Sequence, residues 1–376
     1  MIHLVYRQLV HRPLRTLFML IAVATTIGAV LVIQGFQIGI YWQLPGLVLN
    51  RGGDLIVTQA GITNMIAARS TLPQLTRRQV EAIEGVKIAH PLTAISAIYE
   101  RNRRKTPIFI IVYDTAGGPR NIIAGTAPKG SRDIVIDRSL ARIHGLAMGD
   151  PILISEYAFR ISGITTDNVA FFAPFAFVTY DGMIDFYMES KVVGDITTFP
   201  LLSFLIVELM PGADRKKVAA AIEARVPDAD VFAPSILAAN DRRLGRAMLG
   251  PVFNLITTVS FIIGVLVIGL IMFASVNARR RSFGVLKALG FSTLHLSGSV
   301  VFEAAIITLL AFPLGVGLAW AVAAVVDSVA PLYVVMFDDP AALFRTALGC
   351  AVFALVGSMI PVRVIAHLEP AIVFRR

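Results

Sequence analysis

Residues 251–276 read PVFNLITTVSFIIGVLVIGLIMFASV, an apolar segment without a single charged side chain. A helix needs about 20 such residues to cross the hydrocarbon core of a bilayer, so the segment predicts a transmembrane helix. The residues that follow, NARRR at 277–281, are polar and basic. This stretch decides the class of the fold, because it predicts a membrane protein with a basic loop at one end of a span.

Three further segments have the same apolar character, at residues 14–40, 297–326 and 342–365. In the first, Ala22-Val23-Ala24 is similar to a signal-peptide cleavage site. The apolar run before it is short, however, and the hydrophobicity continues well beyond it, which favours a retained helix. This helix would be roughly 40 Å long, so we expect it to tilt or to project beyond the membrane as a stalk.

Overall composition agrees with a membrane protein, since 56% of the residues are hydrophobic and only 16% are charged, against roughly 25% charged in soluble domains. We predict an α-helical membrane protein with four transmembrane helices and a large α+β extracytoplasmic domain between helices 1 and 2. The predicted segments are a basic elbow at 1–13, spans at 14–40, 251–276, 297–326 and 342–365, an outer domain at 41–248, a cytoplasmic loop at 278–296, a short outer loop at 327–341 and a cytoplasmic tail at 366–376.

Charged residues beside the spans predict the orientation. The loop at 327–341 carries aspartates and no Lys or Arg, whereas the other three membrane-flanking stretches are basic. The residues are Arg7, Arg12 and Arg15; Arg279, Arg280, Arg281 and Lys287; Arg363, Arg375 and Arg376 against Glu369; and, in the acidic loop, Asp327, Asp338 and Asp339. Basic short loops stay in the cytoplasm, so we predict cytoplasmic termini and a domain on the outer side. The sequence has no Asn-x-Ser/Thr glycosylation acceptor, which favours a bacterial protein, and we therefore expect a periplasmic domain and an inner-membrane location.

The formal net charge of +9 does not indicate a nucleic-acid partner. Residues 41–250 hold 23 Lys and Arg against 20 Asp and Glu, a balance of +3, and the remaining residues hold 11 against 5, a balance of +6. The basic excess therefore lies mainly beside the apolar helices, where membrane orientation explains it.

The outer domain mixes strand and helix patterns. A helix is predicted from an N-cap at Thr76 to Glu84, ending near Gly85, and another covers Asp214–Arg225 after the turn at 211–212. Strands are predicted at 54–58, 108–113, 134–136, 152–155 and 204–209.

This domain shows no catalytic or metal-binding motif: no His-Glu-x-x-His, no Gly-x-Ser-x-Gly and no metal loop of the pattern Asp-x-Asp/Asn-x-Asp/Asn-Gly. His90 and His144 are isolated, which favours structural roles. We therefore predict no catalytic, cofactor-binding or metal-binding residue and no enzymatic activity in this chain.

Two clusters leave alternatives open. The basic run is either a solvated hairpin tip or a contact for an anionic lipid or acidic partner; it comprises Arg101, Arg103, Arg104 and Lys105. The aromatic run is either a buried strand or the lining of an apolar site; it comprises Phe171, Phe172, Phe175 and Phe177.

The loop at 278–296 is predicted to contain a short amphipathic helix. Phe283, Leu286 and Leu289 fall on one stripe at three-residue spacing, and Gly290 is placed to end the helix. Such a helix either lies on anionic lipid or docks its apolar stripe into a groove of a partner.

Residues 279–290, RRRSFGVLKALG, resemble the segment RRREIGVLRALG of the FtsX-like, or MacB-type, permeases of ABC transporters, with Ser282 in place of the family's Glu and Phe283 in place of Ile. Further stretches agree with this resemblance. They are YRQL and RPLRT at 6–9 and 12–16, Glu303 ahead of Gly315 and Gly317, PVR and LEPA at 361–363 and 368–371, and, in the outer domain, IVID at 134–137 with GLAMGD at 145–150.

The resemblance implies that the loop is a coupling helix seated on a cytoplasmic ATPase subunit. Its docking stripe would be Phe283, Leu286 and Leu289, and polar contacts would come from Arg280, Arg281 and Lys287; Ser282 removes one such contact. Glu303, within a span, is an intramembrane functional candidate or a side chain that reaches the headgroup region.

The family's function would then be permease activity of the mechanotransmission type. The sequence contains no Gly-x-x-x-x-Gly-Lys-Ser/Thr, so ATP and Mg would bind the partner ATPase. Further expected partners are a second permease copy or a paralogue, a periplasmic adaptor and membrane lipids. The expected function is export or extraction of an amphipathic or lipid-like cargo at the outer membrane face. The alternatives are a mechanical relay that controls a cell-wall hydrolase without moving cargo, and a membrane-anchored receptor or enzyme without an ATPase.

Overall fold

The computed structural model describes residues 13–66, 70–166, 168–170, 173–189, 201–337 and 340–367. Several predicted features lie outside the described residues. They are the basic elbow before Pro13, the tail after His367, and the residues Phe171, Phe172, Asp338 and Asp339. The chain forms two compact units. We call residues 1–38, 250–328 and 334–376 the helical unit, and residues 39–249 with 329–333 the sheet domain.

The described helices are α1 (Pro13–Leu49), α2 (Leu75–Glu81), α3 (Arg138–His144), α4 (Tyr180–Glu189), α5 (Arg215–Arg225), α6 (Pro234–Asn277), α7 (Arg280–Ala288), α8 (Thr293–Val329) and α9 (Pro340–Ala366). The described strands are β1 (Leu55–Gln59), β2 (Leu72–Pro73), β3 (Val86–Arg101), β4 (Arg104–Tyr113), β5 (Ile122–Gly125), β6 (Asp133–Asp137), β7 (Pro151–Ile154), β8 (Tyr157–Thr165), β9 (Val169–Ala170), β10 (Ala173–Thr179), β11 (Leu201–Leu202), β12 (Phe204–Leu209) and β13 (Ala229–Phe232).

Among the described residues, four helices are long and apolar enough to cross a membrane: α1, α6, α8 and α9. By length and composition these four helices are candidate membrane spans, in the order that the sequence predicts. All four helices extend beyond the predicted spans, α1 and α6 by the most. Helix α1 continues past residue 40 to Leu49, and α6 begins at Pro234 rather than at 251. Contacts that the span patterns do not contain explain these two extensions, because Val48 and Leu237 are buried in a core of the sheet domain.

Glycines allow the helices of the helical unit to pack closely. A Cβ at Gly315 of α8 would lie 2.8 Å from the Cβ of Ile27 in α1, and one at Gly357 of α9 would lie 2.9 Å from the carbonyl oxygen of Val265 in α6. Small residues are typical of such contacts, since helices in lipid associate largely through close van der Waals packing. The only cysteine, Cys350, is buried in the same apolar core.

The sheet domain contains an 11-stranded sheet with the order β13-β1-β12-β3-β4-β10-β6-β8-β5, with β7 paired to β8 and β9 to β10. Most neighbours are antiparallel, but β10 pairs with β4, and β6 with β8, in parallel. The domain is therefore a mixed α and β structure, as the sequence predicts.

The sequence predicts two helix starts in the sheet domain, of which one is confirmed. Asp214 caps α5 by accepting hydrogen bonds from the backbone of Lys216 and Lys217, which confirms the predicted helix start. The N-cap prediction for Thr76 is wrong. Helix α2 begins at Leu75 after Gln74, and Thr76 lies inside it with its side chain buried, so burial overrides the capping preference of threonine.

Candidate functional site

The loop between α6 and α8 folds as helix α7, which ends through its glycine. Gly290 has a φ of 94°, its N–H donates to the carbonyl of Lys287, and the N–H of Phe291 donates to the carbonyl of Leu286. These two bonds form a Schellman motif, which requires a left-handed residue just after the helix. The prediction that Gly290 ends this helix is confirmed.

The predicted apolar stripe is divided by the structure. Phe283 is 4% exposed and packs with Val276, Leu296, Val300 and Ile365 at the ends of the long helices. Leu286 is half-buried against the same cluster. Leu289, in contrast, is 72% exposed. Phe283 and Leu286 therefore hold α7 against the ends of α6, α8 and α9, which cover this side of the helix.

Several apolar side chains of the loop remain exposed. We call Val285, Leu289, Phe291 and Leu294 the loop surface. Arg280, Arg281 and Ser282 are also exposed, so this surface is apolar with a basic and polar edge. Lys287 lies apart from them, since its Nζ donates to the carbonyl of Ala366 at the end of α9 at 3.3 Å.

Glu303 is held by an arginine that the sequence prediction did not include. Arg279 Nη2 donates to both carboxylate oxygens of Glu303, at 2.9 and 2.6 Å. Its Nη2 also donates to the Ser275 hydroxyl, its Nε donates to the Ser275 carbonyl, and its guanidinium lies 5.7 Å from the ring centre of Phe283. The side chains of Arg279 and Glu303 are only 17% and 6% exposed.

This cluster joins three elements, because Arg279 is the N-cap residue of α7, Ser275 belongs to α6 and Glu303 to α8. The carboxylate of Glu303 is thus paired with an arginine at the junction of these three helices. A sequence signal for the pair existed. A carboxylate in a span needs a partner, and Arg279 is the first arginine after the preceding span.

The basic run in the sheet domain lies at the β3–β4 hairpin, as predicted. Asn102 and Arg103 form its turn with positive φ angles. Arg101 donates to the carbonyl of His144, and Arg104 to that of Ile143, so both guanidinium groups satisfy free carbonyls at the end of α3. The other two residues, Arg103 and Lys105, are exposed.

The remaining candidates of the sheet domain have structural environments. His90 Nδ1 lies 2.6 Å from the Thr115 hydroxyl and His144 Nε2 lies 2.8 Å from that of Thr106. Phe175 and Phe177 are buried in a core that also contains Val48 and Leu237, and Phe175 also lines a small apolar pocket. Among the described residues, no group of three or more His, Cys, Asp or Glu side chains is arranged to hold a metal ion.

Comparisons with known proteins agree with this architecture. Residues 16–225, more than half of the chain, match the MacB-like periplasmic core domain, and residues 254–370 match the FtsX-like permease C-terminal family. An uncharacterized ABC transporter permease of Mycobacterium tuberculosis is 23% identical over 316 residues, which cover 83% of each chain. One of Mycobacterium bovis is 23% identical over 312 residues, 82% of each chain.

Two solved structures are similar in part. The periplasmic region of MacB from Actinobacillus actinomycetemcomitans has a TM-score of 0.37 and 11% identity, with 50% of this chain and 92% of that chain covered. The extracellular domain of the ABC-type transporter YknZ from Gram-positive bacteria has a TM-score of 0.36 and 10% identity, with 48% and 100% covered.

Proposed function

Because the chain belongs to the ABC transporter permeases of the MacB and FtsX type, we propose that it couples ATP hydrolysis on a separate subunit to movement of its sheet domain. The movement would export or extract an amphipathic cargo at the outer face of the inner membrane. The sequence has no phosphate-binding Gly-x-x-x-x-Gly-Lys-Ser/Thr motif, which supports a separate chain as the site of ATP and Mg binding.

The observation that carries the proposal is the exposed loop surface formed by Val285, Leu289, Phe291 and Leu294. Apolar patches rimmed by polar groups are typical of interaction sites, and a short helix that presents such residues fits an apolar groove on a partner. We propose that the ATPase binds here, with Arg280 and Arg281 as the polar rim. Phe283 is omitted from this surface because its own chain covers it.

Contacts with three neighbouring helices would allow the loop to transmit force. Helix α7 is attached to α6 and α8 through Arg279, Ser275 and Glu303, and to α9 through Lys287. A displacement imposed on the loop surface would therefore act on these three helices together. In the proposed orientation the loop and both termini are cytoplasmic, the sheet domain is periplasmic, and a second copy or a paralogue completes the permease.

Affinity purification of the tagged chain in mild detergent, with mass spectrometry of the bound proteins, tests the docking surface. We expect a P-loop ATPase to copurify with the wild type and to be lost with Leu289→Asp. The matched control is Leu153→Asp, the same change at a leucine that is 57% exposed in the sheet domain. Leu286→Asp is a weaker test, because Leu286 is half-buried and its loss would also disturb packing.

Two outcomes would overturn the proposal. An ATPase that still copurifies with Leu289→Asp would exclude this surface as its docking site. No ATPase with the wild type in repeated experiments would exclude the transporter assembly, and would leave α7 as a helix at the membrane surface. Reconstitution with the captured ATPase distinguishes a transporter from a relay. On addition of ATP, a relay would change the binding of a periplasmic partner, either an adaptor or a hydrolase, and would release no lipid-like cargo.

A further inference from the structure

A small apolar pocket lies within the sheet domain and contains a buried cation. Its volume is about 80 Å³. Its lining comes from four consecutive strands of the sheet, β12, β3, β4 and β10, together with the end of α1 and residues 65–66. The apolar wall residues include Leu47, Leu92, Phe109 and Phe204, and the one charged lining residue is Arg51.

Arg51 is buried without a carboxylate bound to it in the described part of the chain. It is only 2% exposed. Its Nη1 donates to the carbonyl of Gly117 at 2.9 Å and its Nη2 to the side-chain oxygen of Asn168 at 2.7 Å. The guanidinium also lies over the ring of Phe177, at 4.9 Å from the centroid. All of these partners are neutral.

The positive charge of Arg51 is therefore uncompensated by these contacts. Burial, together with the nearby charge of Arg120, lowers the pKa of Arg51 to about 9. Its Nε, also buried, has no hydrogen-bond partner among the described residues. An unpaired buried charge is costly, typically several kcal/mol, and the neutral partners recover only part of this cost. If Arg51 served only to join the sheet to the loops that contain Gly117 and Asn168, its side chain would not need to carry a charge.

We propose that this pocket binds the anionic end of a single-chain amphiphile, a fatty carboxylate, with the carboxylate on Arg51 and the first methylene groups against the apolar walls. The proposal deepens the proposed function and rests on it, because it identifies the class of cargo or lipid that the sheet domain would recognise. Both features of the pocket are needed, since the cation selects the head and the leucine and phenylalanine side chains select the chain.

The size of the pocket limits what enters it. A cavity of roughly 150 Å³ accepts benzene, so a pocket of about 80 Å³ holds the head and a few carbons, and the rest of a long chain lies outside. A diacyl lipid with its whole headgroup does not fit. A site of this kind would recognise one end of an amphiphile and leave the remainder free.

The two long helices that enter the sheet domain both contribute to the pocket. Leu47 belongs to α1. Met65 is held by α6, because its N–H donates to Asp241 Oδ1 at 2.8 Å, and Asn240 of α6 also donates to the carbonyl of Thr63 at 3.0 Å. The wall segment at 63–65 is thus attached to a helix that continues into the helical unit, so displacement of α6 would alter the pocket.

Photo-crosslinking of the full chain in detergent tests the site. The probe is a palmitic acid with a diazirine near its carboxyl end, and the matched probe is the corresponding fatty alcohol. In the wild type we expect the acid to label peptides that contain Met65, Phe109 or Phe204, and labelling of the apolar spans gives an internal control. With Arg51→Met we expect labelling of the pocket by the acid to require about tenfold more probe, the equivalent of one lost charge-assisted hydrogen bond, and labelling by the alcohol to stay within about twofold of the wild type.

Two further variants complete the test. Ala94→Leu adds carbon atoms to the pocket wall without changing Arg51, and is expected to remove labelling of the pocket by both probes. Arg225→Met, the same change at an exposed arginine at the end of α5, is expected to leave both unchanged. Equal labelling of wild type and Arg51→Met by the acid, or pocket labelling that persists in Ala94→Leu, would overturn the proposal. Neither result affects capture of the ATPase, so failure of the pocket and failure of the proposed transporter function are distinguishable.

Discussion

The ion pair between Arg279 and Glu303 is expected to be the largest single polar contribution to holding α7 against the helices. Exposed ion pairs contribute about 0–1 kcal/mol, whereas removal of one partner from a buried pair costs about 3–5 kcal/mol, because the other charge stays buried and unpaired. Side-chain exposures of 17% and 6%, and two hydrogen bonds of 2.9 and 2.6 Å, place this pair in the second class. Glu303→Gln, which keeps the shape and removes the charge, should therefore lower the free energy of unfolding by about 3 kcal/mol or more.

The assay is unfolding in mixed micelles with increasing dodecyl sulfate, for Glu303→Gln, Arg279→Gln and the double variant. If the two charges act as a pair, the double variant should be no less stable than either single variant, and the cycle gives their interaction energy. Arg281→Gln is the matched control, because Arg281 is exposed two residues further on, and a change within about 0.5 kcal/mol is expected. A loss below about 1 kcal/mol for Glu303→Gln, or additive single effects, would refute this reasoning.

Two further predictions concern packing and pH. Gly357→Ala should destabilise the chain by about 1–3 kcal/mol, because the new Cβ would lie 2.9 Å from the carbonyl oxygen of Val265; Gly317→Ala, whose Cβ meets nothing within 4 Å, should be neutral or stabilising. The same micelle titration measures both, and equal effects would contradict the packing argument. Burial, with two nearby arginines, lowers the pKa of His144 below its ordinary 6.5. The unfolded chain then binds a proton that the folded chain does not, so stability should fall as the pH drops below about 6.5. Thermal unfolding at pH values between about 5 and 7.5 should show a smaller loss for His144→Gln, whereas parallel profiles would exclude this role.

The four candidate membrane helices could be predicted from the sequence because the hydropathy of a segment is a local property. Hydropathy over about 20 consecutive residues decides whether a helix can cross a bilayer, and the four spans required no knowledge of contacts. The same holds for the short helix after residue 279 and for its end at Gly290, since a helix stop depends on the conformation of one residue and its neighbours. The cap at Asp214 and the strand at 204–209 were accessible for the same reason. The N-cap prediction for Thr76 is wrong because that side chain is buried inside α2, and burial is not a local property of the sequence.

Which side chains of these local elements meet depends on the tertiary structure. It covers Phe283 and leaves Leu289 exposed, although both lie on the same sequence stripe, because the ends of other helices occupy one side of α7. It pairs Arg279 with Glu303, 24 residues away, and places Arg51 against Asn168, 117 residues away. Hydropathy and helix capping depend on residues that are close in sequence. The partner of a buried charge depends instead on which distant segments the fold brings within hydrogen-bond distance.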